Sequence, residues 1–299
     1  MRTTRLSRRS PALRGGAGDQ GSDPGSDPDR PGEQSEQMSV TTPYVIHGLR
    51  TRVQVRGEGP PLLLIGGLWG QVPLWDDVLP FLRGFRTIAF DPPGIGDTEM
   101  PLWPYSVRRQ AAFAAQVLRE VGVQRAHVLG VSLGGAVAQQ LARSFPQCVD
   151  RLVLVSTSHG CLTLPGRPEA LVRFLRPTAY ASAHDLERNA GPMFGGRIRE
   201  QPGLVHRWHF RPPAHLRAYA YRLAGTAGWT SLPWLPRLAA PTLVVHGDDD
   251  PIVRLQNARV LTRLIPNARL HVVPGGGHLL LLDSAEDVVP QITAFLSGT

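Results

Sequence analysis

The chain has 299 residues, 42% of them hydrophobic, and a formal net charge of +8. That size suits one large globular domain, and no apolar run approaches the roughly 18 residues that a membrane-spanning helix requires. Two cysteines, Cys148 and Cys161, exclude a disulfide framework and a cysteine metal site, and the positive charge comes with no nucleic-acid-binding motif, so no nucleic-acid partner is expected.

Residues 1–37 are rich in Gly, Pro, Ser, Asp and Arg, with six arginines balancing six acids. Such a segment buries too little apolar surface to offset its ordering entropy and is expected to be a disordered tail. No apolar stretch follows its arginines, which argues against a signal peptide. Residues 44–55 alternate in the manner of a hairpin that turns at His47-Gly48. Residues 61–65 read Pro-Leu-Leu-Leu-Ile, a strand buried on both faces, and Gly66-Gly67-Leu68-Trp69-Gly70 ends it. A helical stretch is expected around residues 75–82, then a strand over 86–90 and a loop over 91–97. Helical periodicity runs over 105–121, and Gly122 stops it.

Residues 127–129 form a short apolar run that meets Gly130-Val131-Ser132-Leu133-Gly134, and an Ala-rich helical pattern follows. Strand, tight turn and helix around Gly-x-Ser-x-Gly is the context of a nucleophile elbow. Gly130 and Gly134 remove side chains that so sharp a turn would force together. Ser132 then projects alone from a strand end, with the amide of Leu133 at the positive end of a helix.

Another strand is expected over 151–156, and the alternation so far is that of a doubly wound, mostly parallel α/β sheet. Between residues 160 and 236 it breaks: nine aromatic residues are scattered among prolines, with ten arginines against four acids. It resumes with a strand over 241–246, a helix over 256–265, a strand over 268–273 and a closing helix over 285–296. The expected organisation is an α/β core in two pieces, 38–159 and 237–299, with 160–236 inserted as a helical lid over the strand ends. The basic lid could steer an anionic partner, although a solvated arginine surface is the simpler reading.

A serine hydroxyl is a weak nucleophile at neutral pH and needs a base, which itself needs a partner that fixes its tautomer. In this kind of sheet the chain order is Ser, acid, His. The strand over 241–246 runs into Gly247-Asp248-Asp249-Asp250-Pro251, and the strand over 268–273 into Pro274-Gly275-Gly276-Gly277-His278. Spacing alone leaves the acid open: Asp250, beside Pro251 where the loop turns back, is the first choice and Asp248 the reserve. His278 is the one histidine of ten that follows a Gly-rich loop at a strand end. His127 and His246 precede reactive loops but fall within strands, and read as core residues or as supports behind the reactive groups. Leu68 and Leu133 are the expected backbone N–H donors to an oxyanion, with Trp69 walling the pocket.

These stretches, with Ile88-Ala-Phe-Asp-Pro-Pro-Gly-Ile-Gly, Pro192-Met-Phe-Gly-Gly, Ala224-Gly-Thr-Ala-Gly-Trp-Thr-Ser and Ile265-Pro-Asn-Ala-Arg-Leu-His-Val-Val, resemble the α/β-hydrolases. Within them they are most similar to intracellular medium-chain-length poly(3-hydroxyalkanoate) depolymerases. The resemblance departs at Leu133, where the depolymerases tend to have an aromatic, and at Gly66, where they often have Asn. It implies a cytoplasmic serine hydrolase of 3-hydroxyacyl esters, small or polymeric, with Ser132, Asp250 and His278 as nucleophile, acid and base and with no cofactor or metal. Met193, Phe194 and Leu279 join Trp69 as pocket residues, and the basic lid is a candidate contact for a polymer granule or an acyl carrier. The alternative expectation is a thioesterase or acyltransferase for CoA- or carrier-bound chains.

Overall fold

The computed structural model describes residues 40–208 and 216–298. The expected tail at 1–37, together with Phe210 and Arg211, lies outside the described residues.

Strands β1 (Val40–Ile46) and β2 (Leu49–Arg56) form an antiparallel hairpin. It closes through His47 and Gly48, both at positive φ (49° and 78°), the backbone that a two-residue turn needs to match strand twist. Six parallel strands follow: β3 (Pro61–Ile65), β4 (Arg86–Phe90), β5 (Ala126–Val131), β6 (Val149–Val155), β7 (Thr242–Gly247) and β8 (Ala268–Val273). The eight strands are ordered β1-β2-β4-β3-β5-β6-β7-β8 in one sheet. Helices α1 (Val107–Glu120) and α2 (Leu133–Ser144) follow β4 and β5. Between β6 and β7 lie α3 (Pro168–Phe174), α4 (Ala183–Phe194), α5 (Gly196–Glu200) and α6 (Leu216–Ala224). Helix α7 (Leu255–Leu264) joins β7 to β8, and α8 (Leu280–Asp283) and α9 (Ala285–Ser297) close the described chain.

Successive strand residues point to opposite faces, so the continuous apolar runs fill two cores at once. Leu63 and Ile65 of β3, Val128 of β5, Leu152 and Leu154 of β6 and Val244 of β7 pack toward α1, α2 and α7. Their neighbours Leu62, Leu64, Leu129, Val153, Val155, Leu243 and Val245 pack toward α9 and the segment after β3. That segment holds two 3₁₀ turns, Val72–Trp75 and Leu79–Phe81, in place of the helix expected around 75–82. Pro80 supplies no N–H to a continuing helix, which limits the stretch to single turns.

A third apolar cluster lies above the strand ends. Tyr180, Leu186, Ala190, Phe194, Ile198 and Tyr219 of the helical segment pack there on Leu68 and Trp69 of the loop after β3. The loops leaving the carboxyl ends of β3, β5, β7 and β8 therefore meet under this cluster, on the edge where open α/β sheets gather ligand chemistry.

Helix α2 approaches the end of β3 closely enough that a Cβ at Gly134 would stand 2.1 Å from the carbonyl oxygen of Ile65. Gly134→Ala is expected to destabilise the fold by about 1–3 kcal/mol, through backbone displacement at a packed junction. An unchanged thermal midpoint would contradict this packing.

Candidate active site

Ser132 sits between β5 and α2 with φ 53° and ψ −119°, a conformation that a residue with a Cβ rarely adopts. Holding it there stores on the order of 1–3 kcal/mol of strain. Three hydrogen bonds oppose that strain: the Ser132 N–H donates to Val155 O (2.9 Å), while its carbonyl accepts from the Gly135 N–H (2.9 Å) and from Thr157 Oγ1 (2.6 Å).

The Ser132 hydroxyl is 3.1 Å from His278 Nε2, and His278 Nδ1 is 2.8 Å from Asp250 Oδ2. An ionised carboxylate only accepts, so Nδ1 carries the proton and Nε2 faces the serine as an acceptor. Asp250 and His278 are both buried. The other oxygen of Asp250 accepts from the N–H groups of Ile252 and Val253, each at 2.9 Å, so the buried carboxylate is satisfied on both sides. The N–H of His278 donates to Phe194 O at 2.7 Å, tying the histidine loop to the end of α4.

The three adjacent aspartates have separate partners. Asp248 Oδ1 accepts from the Gly275 N–H (2.7 Å), bracing one loop against the other. Asp249 faces the helical segment: it accepts from the Gly196 N–H (3.0 Å) and pairs with Arg199 (2.9 Å) and Arg167 (3.2 Å). Asp250 alone of the three reaches His278. His246, fully buried in β7, donates from Nε2 to Val253 O (2.8 Å), and the same Nε2 lies 3.6 Å from Asp250 Oδ2. Burial pulls its pKa below the ordinary value, more than the nearby Asp250 raises it.

Leu133 opens α2, where a helix leaves its first N–H groups without partners in the helix. Leu68 follows Gly67, whose Cα is so near the elbow that a Cβ there would be 3.3 Å from Ser132 Cβ. Among the described residues neither the Leu68 nor the Leu133 N–H reaches a protein acceptor. Both are free for an oxygen bound at Ser132.

Two cavities meet at Ser132. The first, of about 700 Å³ including its mouth, is apolar and is lined by Trp69, Trp75, Phe174, Phe194, His278 and Leu279 among others. Trp69 is stacked on Tyr219 of α6 (ring centroids 4.8 Å apart). The second, of about 780 Å³ including its mouth, shares only Ser132 with the first and has Thr157, Ser158, Cys161, Thr226 and Trp229 in its wall. Of the expected pocket residues, Trp69, Phe194 and Leu279 line the first cavity. Met193 does not: it is fully buried in the helical layer, its Sδ 3.4 Å from Tyr180 Oη, because its position on α4 faces that layer's own core.

Six of the ten arginines between 160 and 236 (Arg167, Arg173, Arg188, Arg197, Arg199 and Arg207) are in ion pairs, so much of the segment's charge is locally balanced. Cys148 and Cys161 are free thiols. Among the described residues no cluster of three or more His, Cys, Asp or Glu side chains could hold a metal ion, and no helix is long and apolar enough to cross a membrane.

A family model described as the alpha/beta hydrolase fold matches residues 60–285. The chain is 38% identical over 254 residues to a poly(3-hydroxyalkanoate) depolymerase of Ectopseudomonas oleovorans, spanning 82% of this chain and 88% of that one. It is 32% identical over 265 residues to a 2-hydroxymuconate semialdehyde hydrolase of Pseudomonas putida, spanning 84% and 92%. Its fold is also that of a meta-cleavage product hydrolase from Pseudomonas fluorescens IP01, with a TM-score of 0.74 at 23% identity over 87% of this chain and 97% of that one.

The separate partners of the aspartates give an ordered expectation. Asp250→Asn should lower kcat roughly 10³–10⁴-fold by upsetting the imidazole tautomer. Asp248→Asn should leave kcat within a few-fold, and Asp249→Asn should mainly lower the thermal midpoint. Steady-state kinetics and melting of the three variants check this; equal losses at Asp248 and Asp250 would contradict it.

Proposed function

Because the chain belongs to the α/β-hydrolase family, we propose that it is a serine-dependent hydrolase of carboxylic esters, and that its substrates are 3-hydroxyacyl esters in oligomeric or polymeric form. One observation carries the mechanism: an unbroken hydrogen-bonded sequence, Ser132 to His278 to Asp250, assembled from loops that leave three different strands. The substrate class is supported by the 38% identity to a relative named for poly(3-hydroxyalkanoate) depolymerisation.

In this reading Ser132 attacks the ester carbonyl while His278 Nε2 takes its proton, and Asp250 stabilises the imidazolium that forms. The carbonyl oxygen becomes an anion and is received by the N–H groups of Leu68 and Leu133. Collapse expels the alcohol, which takes the proton from His278 and leaves an acyl-enzyme on Ser132. Water, deprotonated by His278, then attacks that ester, and the acid departs with the serine restored.

Two cavities with separate walls that share Ser132 suit a substrate that continues past the scissile bond in both directions. The apolar one matches an alkyl-bearing acyl unit, and the one with Thr157, Ser158 and Thr226 matches the departing hydroxyacyl unit, which keeps polar ester oxygens. Residues 160–236 act as the lid over both, in a cytoplasmic protein with free thiols. A thioester donor such as acyl-CoA is the weaker alternative, because six of the lid's ten arginines already have carboxylate partners.

Ser132→Ala should abolish release of p-nitrophenol from p-nitrophenyl acyl esters and of monomer from 3-hydroxyacyl oligomers, at an unchanged thermal midpoint. Turnover retained by the variant would refute the mechanism. A wild-type preference for acyl-CoA that weakens as salt rises would instead favour the alternative.

A further inference from the structure

Arg222 is a cation without a counter-ion. It lies on α6, only 5% exposed, and among the described residues no carboxylate is paired with it. Burial lowers its pKa to about 10, which still leaves it protonated at neutral pH. A buried, unpaired charge is among the costliest groups in a folded protein unless its hydrogen bonds are met. Here uncharged oxygens meet them: Nη2 donates to Gly67 O (2.7 Å), Nε to Leu68 O (3.3 Å) and Nη1 to Gln110 Oε1 (2.6 Å). Gln110 is itself fixed through its Nε2, which donates to Tyr105 O at 2.9 Å.

The two carbonyls that the fork grips belong to the loop after β3. Gly67 O and the Leu68 N–H are parts of one planar trans peptide, so they point to opposite sides. Gripping the oxygen turns the N–H away from Arg222, toward the cleft that Leu68 shares with Ser132 and His278. A guanidinium on the oxygen also polarises the peptide and strengthens its N–H as a donor, since hydrogen bonds in series reinforce one another at low dielectric. The Gly70 N–H donates to the same oxygen at 3.0 Å, but as a neutral group within the loop it supplies neither the charge nor a tie to α6.

We propose that Arg222 is a positioning residue for oxyanion stabilisation: from the helical segment it sets the orientation and the donor strength of the Leu68 N–H. The assignment rests on the ester-hydrolase reading and adds to it that one helix of the lid completes the catalytic geometry besides covering the substrate. Arg222 lines neither of the two cavities that meet at Ser132. It acts wholly through the Gly67–Leu68 peptide, so its removal affects the transition state more than the bound ester.

The test compares the wild-type chain with Arg222→Gln and Arg222→Lys, measuring thermal midpoint, kcat and KM on p-nitrophenyl hexanoate, and inhibition by an alkyl trifluoromethyl ketone, which forms an anionic tetrahedral adduct with the serine. Loss of a whole oxyanion donor costs roughly 10²–10³ in kcat. Arg222→Gln should lose about 10- to 100-fold in kcat with KM within about threefold, and the ketone should weaken by a similar factor. Arg222→Lys keeps the charge without the fork and should lose at least about threefold in kcat; it is the variant read if the glutamine form does not fold. A wild-type kcat and ketone affinity in a folded variant, or a rise in KM alone, overturns the proposal and leaves Arg222 a clamp between α6 and the core. Wild-type turnover that survives Ser132→Ala overturns the hydrolase reading, and this inference falls with it.

Discussion

The hydrogen bond between Asp250 and His278 is the constraint that the rest of the site depends on. It joins the loops after β7 and β8, and it decides which imidazole nitrogen faces the serine. A carboxylate this deeply buried is costly unless its oxygens are hydrogen-bonded. Two backbone N–H groups from the turn at Ile252 and Val253 bind its other oxygen, so that turn fixes the orientation of the carboxylate toward His278. Ser132 is held to the same end by its strained backbone and three hydrogen bonds.

The helical segment between β6 and β7 is fastened to these loops at several points. Phe194 O receives the His278 N–H, Asp249 receives the Gly196 N–H and two arginines, and Arg222 grips the loop after β3. Gly195 and Gly196 both have positive φ, and a Cβ on Gly196 would stand 2.4 Å from Gly277 N, so α4 and α5 can meet the histidine loop only through glycine. The segment therefore supports the machinery as well as bounding the cavities.

Much of this was legible in the sequence, for physical reasons. Strands buried on both faces must be largely apolar, and the runs at 61–65, 127–129 and 241–246 read that way. An elbow needs small residues around its serine, which made Gly130 to Gly134 conspicuous. The choice among Asp248, Asp249 and Asp250 is open in the sequence because spacing does not say where a loop doubles back, and the folded loop gives each a different partner. Met193 has the composition of a pocket residue, but the angle at which α4 packs sends it into the helical layer. Thr157, the carbonyl of Phe194 and Arg222 act on or through backbone atoms, which leave no pattern of residue types. Arg222 in particular is, in sequence, one more arginine of a solvated surface, whereas the fold buries it.

The most direct measurement is nitrogen spectroscopy of the protein with ¹⁵N-labelled imidazoles at neutral pH. The expected spectrum has His278 carrying its proton on Nδ1, with Nε2 bare, and this pattern is lost when Asp250 is replaced by alanine. The opposite tautomer, or a His278 signal indifferent to the removal of Asp250, would contradict the proposed role of that carboxylate.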